Sequence, residues 1–125
     1  MRLVDSSGNP VSSRTGLLQM AVNRIWKYVC NDYFVSNNNG VKVACGEMGF
    51  SSMGSQSHGT AHTDLFYDDV QCTGTESSLV DCPRNEGDEN CGNDEAVTLT
   101  CVGMFYEFWK EIIFSKLFIT FVLTI

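Results

Sequence analysis

Carboxylates set side by side are the groups in this 125-residue chain best able to do chemistry. A hard cation such as calcium takes about six to eight oxygen ligands, and neighbouring acids on a tight turn supply them without a preformed helix. Three acidic neighbourhoods offer this, the pair Asp68-Asp69 among them. A plainer reading has Asp68 and Asp69 capping a turn while the other acids are simply solvated. His58 and His62, four residues apart and followed by Asp64, have the spacing of a transition-metal pair on a helix. The Ser and Gly around them oppose a helix, so they are expected to be solvent-facing loop histidines.

Six cysteines, Cys30, Cys45, Cys72, Cys82, Cys91 and Cys101, leave no odd thiol and read as three disulfides. Disulfides persist in oxidising compartments, which points to a secreted or cell-surface protein. With every cysteine paired, no thiolate remains as a nucleophile. The chain also lacks a nucleophile elbow, a metalloprotease helix motif and a phosphate-cradling glycine loop, so the expectation is a protein that binds and does not catalyse. The formal charge of −7 lies in residues 1–101, which hold 13 acids against 6 bases, while the acids and bases of the remainder cancel. Arg14, Arg24, Lys27, Lys42 and Arg84 are scattered, so no cluster exists to displace phosphate counterions and nucleic-acid readout is not expected. No Asn-x-Ser/Thr acceptor is present, so N-glycosylation is not expected either.

The elements that must position these groups are short. Residues 2–4 and 17–28 have strand composition interrupted at Asn23-Arg24, which predicts a hairpin feeding Cys30. The run Asn37-Asn38-Asn39-Gly40 is a breaker and helix start. After it Val41, Ala44, Cys45 and Met48 recur at helical steps, predicting one short helix that ends at Gly49 with its cysteine turned inward. Ser51 to Thr63 reads as a surface loop, and Leu65 to Val70 as a brief strand around Asp68-Asp69. Between Cys72 and Cys82 a small closed loop with one helical turn is expected. The polar, acidic residues 83–95 then lead into a closing strand in which Val97, Leu99 and Cys101 alternate. Trp26, Tyr28, Tyr33 and Phe34, which flank the first cysteine, read as core or rim packing.

Several blocks carry a family resemblance. They are Trp26-Lys27-Tyr28-Val29-Cys30, Val43-Ala44-Cys45-Gly46-Glu47-Met48-Gly49-Phe50, Asp81-Cys82-Pro83 and above all Asp-Asp-Val-x-Cys-x-Gly-x-Glu-Ser-x-Leu from Asp68 to Leu79. Across residues 2–101 the chain resembles the scavenger receptor cysteine-rich family, in its six-cysteine group. The resemblance implies an α+β fold in which a small curved β-sheet cradles one main α-helix, stapled by Cys30 with Cys91, Cys45 with Cys101 and Cys72 with Cys82. Spacing alone leaves the connectivity open. The resemblance also implies two divalent-cation sets: Asn31, Asp32 and Glu95, and Asp68, Asp69 and Asn90. Calcium is the cofactor implied. Asn31 stands where the family usually carries an acid, which removes a charge from the first set. Ala96 likewise replaces the acid usually beside Glu95. Arg24 and Arg84 are the arginines offered as ligand contacts. A bound cation would invert the local field and let an acidic domain attract anionic ligands.

The domain is expected to end at residue 101, with 102–125 a separate apolar tail. The run Ile112 to Ile125 is short of the roughly 20 apolar residues a bilayer span needs, and reads as a truncated anchor able to associate with membranes, with an interfacial amphipathic helix or a read-through sequence of no evolved role as the alternatives. The start of the chain lacks the pattern of a secretory signal, so a fragment of a longer secreted or membrane protein is expected. The function that follows is an extracellular ligand-recognition module for polyanionic or protein ligands, with a structural domain of a larger extracellular protein as the alternative.

Overall fold

Two left-handed residues set the frame. Asn23 and Arg24 have φ of 52° and 68°, the geometry of a two-residue hairpin turn whose twist matches that of its strands. The turn joins β2 (Thr15–Val22) to β3 (Ile25–Val29), in register from Val22↔Ile25 to Gln19↔Tyr28. In this computed structural model, which describes residues 1–85 and 90–103, that hairpin is the middle of a six-stranded sheet. The other strands are β1 (Arg2–Val4), β4 (Gly54–Gly59), β5 (Phe66–Tyr67) and β6 (Ala96–Cys101). The order is β4-β6-β2-β3-β5, with β1 also paired to β2. Among the described strands only β3 and β5 run parallel; the remaining pairs are antiparallel.

Both faces of the sheet are covered, and the alternation of side chains along each strand sorts the core in two. Leu3, Leu18, Met20, Val29 and Leu99 pack beneath the helix α1 (Asn39–Glu47) with its Val41, Ala44 and Cys45. On the other face Val4, Leu17, Tyr28, Phe66, Ala61 and Ala96 form a smaller cluster. The helix starts where expected, although the cap is not the residue just before it: Asn37 Oδ1 accepts the Asn39 amide at 2.9 Å. It stops at Gly49, whose φ of 83° lets the Phe50 amide reach back to the Cys45 carbonyl at 3.0 Å.

The expected loop Ser51 to Thr63 is corrected by the structure: Gly54–Gly59 is the edge strand β4, paired along its length with β6. An edge strand is held by its backbone and needs no apolar side chains. The glycine that looked like a loop residue is required by close approach, since a β-carbon on Gly54 would sit 2.5 Å from the Thr100 carbonyl oxygen and 3.0 Å from Cys45 Sγ. His58 and His62 are both exposed, but His58 lies on β4 and His62 bonds the buried Tyr28 hydroxyl.

The disulfides are Cys30–Cys91, Cys45–Cys101 and Cys72–Cys82, the pairing the resemblance implies. The first ties the end of β3 to the acidic segment, the second ties α1 to β6, and the third closes the small loop around the Leu79–Asp81 helical turn. Of the tail expected at residues 102–125, everything from 104 onward lies outside the described residues. Among the described residues no helix is long and apolar enough to cross a membrane.

Loop length ranks the bridges. They span 61, 56 and 10 residues in sequence, so chain entropy assigns about 4 kcal/mol to each long bridge and about 3 kcal/mol to the short one. Urea titration of paired Cys→Ala variants should give the smallest loss for Cys72→Ala/Cys82→Ala.

Candidate functional site

β3 ends at the Cys30–Cys91 bridge, and the chain then turns sharply. Cys30 makes an isolated antiparallel bridge with Ala96, and the Asn31 amide donates to the Glu95 carbonyl at 2.8 Å. Tyr33 sits at φ 61° and Phe34 plugs into the core against Gly40. This turn projects Asp32 toward the strand-end loop after β5. There Asp68 is 1% exposed, and its carboxylate is held from two sides. Its Oδ1 accepts the Asp69 amide at 2.8 Å and its Oδ2 accepts the Asn90 amide at 3.2 Å. Its backbone carbonyl takes the Asn85 amide at 2.9 Å. Asp69 is left-handed, with φ 53°, which turns its side chain to the same place.

The result is a convergence of carboxylates from three parts of the sequence. One oxygen each of Asp32, Asp68 and Asp69 lies within 4.8 Å of the others. The Asn90 amide faces them; turned nitrogen-first, it donates to Asp68 Oδ2 at 2.6 Å and Asp32 Oδ2 at 3.2 Å. Turned oxygen-first, the same group adds a fourth ligand oxygen. Glu95 approaches Asp32 from the other side, beside the Cys30–Cys91 sulfurs, with its Oε1 accepting the Gly92 amide at 3.3 Å. Partial burial, and after it the negative charges of Glu95, Asp68 and Asp69, raise the Asp32 carboxyl above the ordinary carboxylate range.

Asp32 therefore belongs to both ligand sets, and the two sets meet at its carboxylate. Asn31 joins them through its backbone bond to Glu95. Arg24 is at the exposed hairpin turn, at the far end of β3 from the acids. Arg84 is built into the fold: its Nη1 donates to the Val80 carbonyl at 2.9 Å and its guanidinium lies 5.6 Å from the centre of the Tyr67 ring. Glu47, which no spacing marks as special, accepts the Ser78 hydroxyl at 3.0 Å and the Leu79 amide at 2.8 Å, fastening the 72–82 loop to the end of α1. Its only sequence signal was its place in the Cys45-Gly46-Glu47 block.

A small mixed sheet with one helix and three disulfides defines a small disulfide-stapled domain of the kind that persists in oxidising compartments. Residues 8–102 match the scavenger receptor cysteine-rich domain model. The hamster (Mesocricetus auratus) macrophage receptor MARCO is 33% identical over 87 residues, 69% of this chain and 18% of that protein. Human lysyl oxidase homolog 4 is 32% identical over 106 residues, 81% of this chain and 13% of that protein. Among solved structures, the dimeric form of the mouse MARCO SRCR domain superposes with a TM-score of 0.60 at 32% identity, covering 70% of this chain and 86% of that one. The third SRCR domain of murine neurotrypsin gives 0.62 at 25% identity, covering 80% and 92%. The chain belongs to the scavenger receptor cysteine-rich family, and its three disulfides fit the six-cysteine group A. It is a recognition module homologous to a receptor domain, and it spans less than a fifth of the length of those curated relatives.

Asp32 supplies a test of the cluster. A carboxyl raised in the folded state costs stability at neutral pH, and that cost disappears as pH falls through the carboxylate range. Asp32→Asn should therefore melt higher than the parent at pH 7 in chelator, and the difference should close by pH 3. Thermal melts at the two pH values check this.

Proposed function

We propose that the chain is an extracellular, cell-surface or secreted module that recognises anionic macromolecules or a protein partner through a divalent cation held by Asp32, Asp68, Asp69 and Asn90, and that it catalyses nothing. The observation that carries this reading is the convergence of three carboxylates from separate segments within 4.8 Å. Like charges at that range repel, and a fold that forces them together stores a demand for positive charge.

The donor set fits calcium. Three carboxylates and an amide oxygen offer enough oxygens for the roughly six to eight that calcium takes, in a loop geometry that tolerates irregular coordination. Magnesium demands a tighter octahedron and keeps its waters. The charge count bears on mechanism: a divalent ion set against three carboxylates leaves the cluster near −1, so simple inversion of the local field is not what draws an anion. When bound, the ion supplies coordination positions that an oxyanion of the ligand completes. Asp68 anchors the site because its oxygens are already oriented by two backbone amides, and Asn90 turns its amide according to whether a cation is there. Because Asp32 is shared between the two acidic groups, a single ion is expected per domain.

A second reading, a structural or accessory domain of a larger extracellular protein, is favoured by the lysyl oxidase homolog, of which a segment like this chain forms only 13%.

Calorimetry with calcium on the oxidised chain should show one ion per chain, lost in Asp68→Asn/Asp69→Asn. Where calcium stands at about ten times its Kd, melting should report roughly 1.4 kcal/mol of added stability. Binding to an immobilised polyanion should need calcium and vanish in the double variant. Absence of calcium binding by the folded chain would overturn the cation mechanism, and calcium binding without any polyanion binding would favour the structural reading.

A further inference from the structure

The three bridges differ in what covers them. Cys45 and Cys101 are buried, and the backbone of β4 lies over them, so that a β-carbon on Gly54 would stand 3.0 Å from Cys45 Sγ. Cys72 and Cys82 belong to the larger core, and Glu47 fastens their loop to the end of α1. Cys30 is buried as well, but Cys91 packs only at the margin of the smaller core and is the one cysteine of the six that is partly exposed. Electrostatics separates the bridges further. The sulfurs of Cys30 and Cys91 lie within 4.8 Å of carboxylate oxygens of Asp32 and Glu95, and Asp32 is held there against burial and the repulsion of its neighbours. Glu76, the carboxylate beside Cys72–Cys82, is instead satisfied by the Thr73 and Gly74 amides at 3.0 Å. Asp32 is two residues from Cys30, and Asn90 is next to Cys91, so the two sides of this bridge are also two sides of the acidic cluster.

We propose that Cys30–Cys91 is a thiol–disulfide exchange site, opened by an extracellular dithiol reductant that attacks Cys91, and that its opening disperses the acidic cluster and releases a cation held there, the release resting on the function proposed above. The attacking thiolate bonds to Cys91 Sγ, the bond between the two cysteine sulfurs breaks, and the Cys30 sulfur leaves with the electron pair and takes up the proton that the first thiol gave to water. The second thiol of the reductant then displaces Cys91 from the mixed disulfide. The reductant ends as a disulfide, and two electrons and two protons have passed to the cysteines. The charge of the site selects a dithiol: Asp32 and Glu95 repel each incoming thiolate, so the second displacement is favoured when its thiol is already tethered. Reclosure depends on what keeps the two cysteines together. Packing of α1 on β6 does this for Cys45 and Cys101, and a loop of 10 residues does it for Cys72 and Cys82. Across an opened Cys30–Cys91 the carboxylates push the segments apart. A cation coordinated by Asp32 and Asn90 ties the same two segments, so cation binding and bridge closure reinforce each other.

The test places the full oxidised chain under nitrogen in dithiothreitol buffers of graded reduced-to-oxidised ratio, in EDTA and in calcium, followed by alkylation and peptide mapping. In EDTA, Cys30 and Cys91 should be alkylated first and as a pair, with the other four cysteines still bridged and the melt still cooperative. Asp32→Asn, which removes one repelling charge, should need a higher ratio for half-opening in EDTA, a shift that exposure of Cys91 alone does not produce. Calcium at about ten times its Kd should raise the ratio for the parent about tenfold and leave Asp68→Asn/Asp69→Asn unmoved. First opening of another bridge, or opening of all three together, overturns the proposal, as does half-opening of the parent and Asp32→Asn at the same ratio. Calcium that binds by calorimetry without protecting the bridge overturns the coupling and leaves the cation reading standing. If calcium does not bind at all, the cation reading fails, and the order of opening and the Asp32→Asn shift in EDTA still decide whether Cys30–Cys91 is the exchange site.

Discussion

The Cys30–Cys91 bridge is the constraint on which the rest of the molecule depends. It joins residues 61 apart in sequence and pins the exit of β3 to the start of the segment that leads into β6. Without it, Asp32 would have no reason to sit beside Glu95, Asp68 and Asp69, because mutual repulsion and partial burial both oppose that placement. A covalent link removes the alternative conformations in which the acids escape one another. The Asn31–Glu95 backbone bond and the short Cys30↔Ala96 pairing then set the remaining geometry. The cluster is thus maintained by the fold against its own electrostatics.

Around that staple the sheet divides the labour. One face buries the helix and the larger core, and the other carries the smaller core and, toward the hairpin turn, the Arg2–Trp26 stack. A chain of net charge −7 thereby presents two chemically distinct ends along β3: carboxylates past Cys30, and a guanidinium on an aromatic ring before it. The homology to receptor domains and the cysteine framework support an extracellular recognition module.

Much of this was legible without coordinates. The hairpin at Asn23-Arg24, the helix ending at Gly49 and the closing strand through Leu99 follow from periodicity and from residues that break or cap elements, all of which act over a few positions. The loop expected at Ser51 to Thr63 failed for the same reason. A strand held by backbone bonds to β6 needs no local side-chain pattern, and its Gly54 is there to let two segments approach. Glu47 and Arg2 were equally unmarked, since what they do lies in contacts with Leu79 and Trp26, more than twenty residues away in sequence.

By itself the sequence determined the redox chemistry, the acidic balance, the short elements and the residue types able to hold a hard cation. Only the tertiary structure decided which of those residues meet. It placed Asp32 with Asp68, Asp69 and Asn90 as well as with Glu95, took Arg84 into the fold over Tyr67, and set Arg2 on Trp26 at the sheet's other end. The physical reason is range. Periodicity, caps and turns are written over three or four neighbouring residues, whereas a binding site is made by strand register and disulfide closure, which join residues that no local pattern relates.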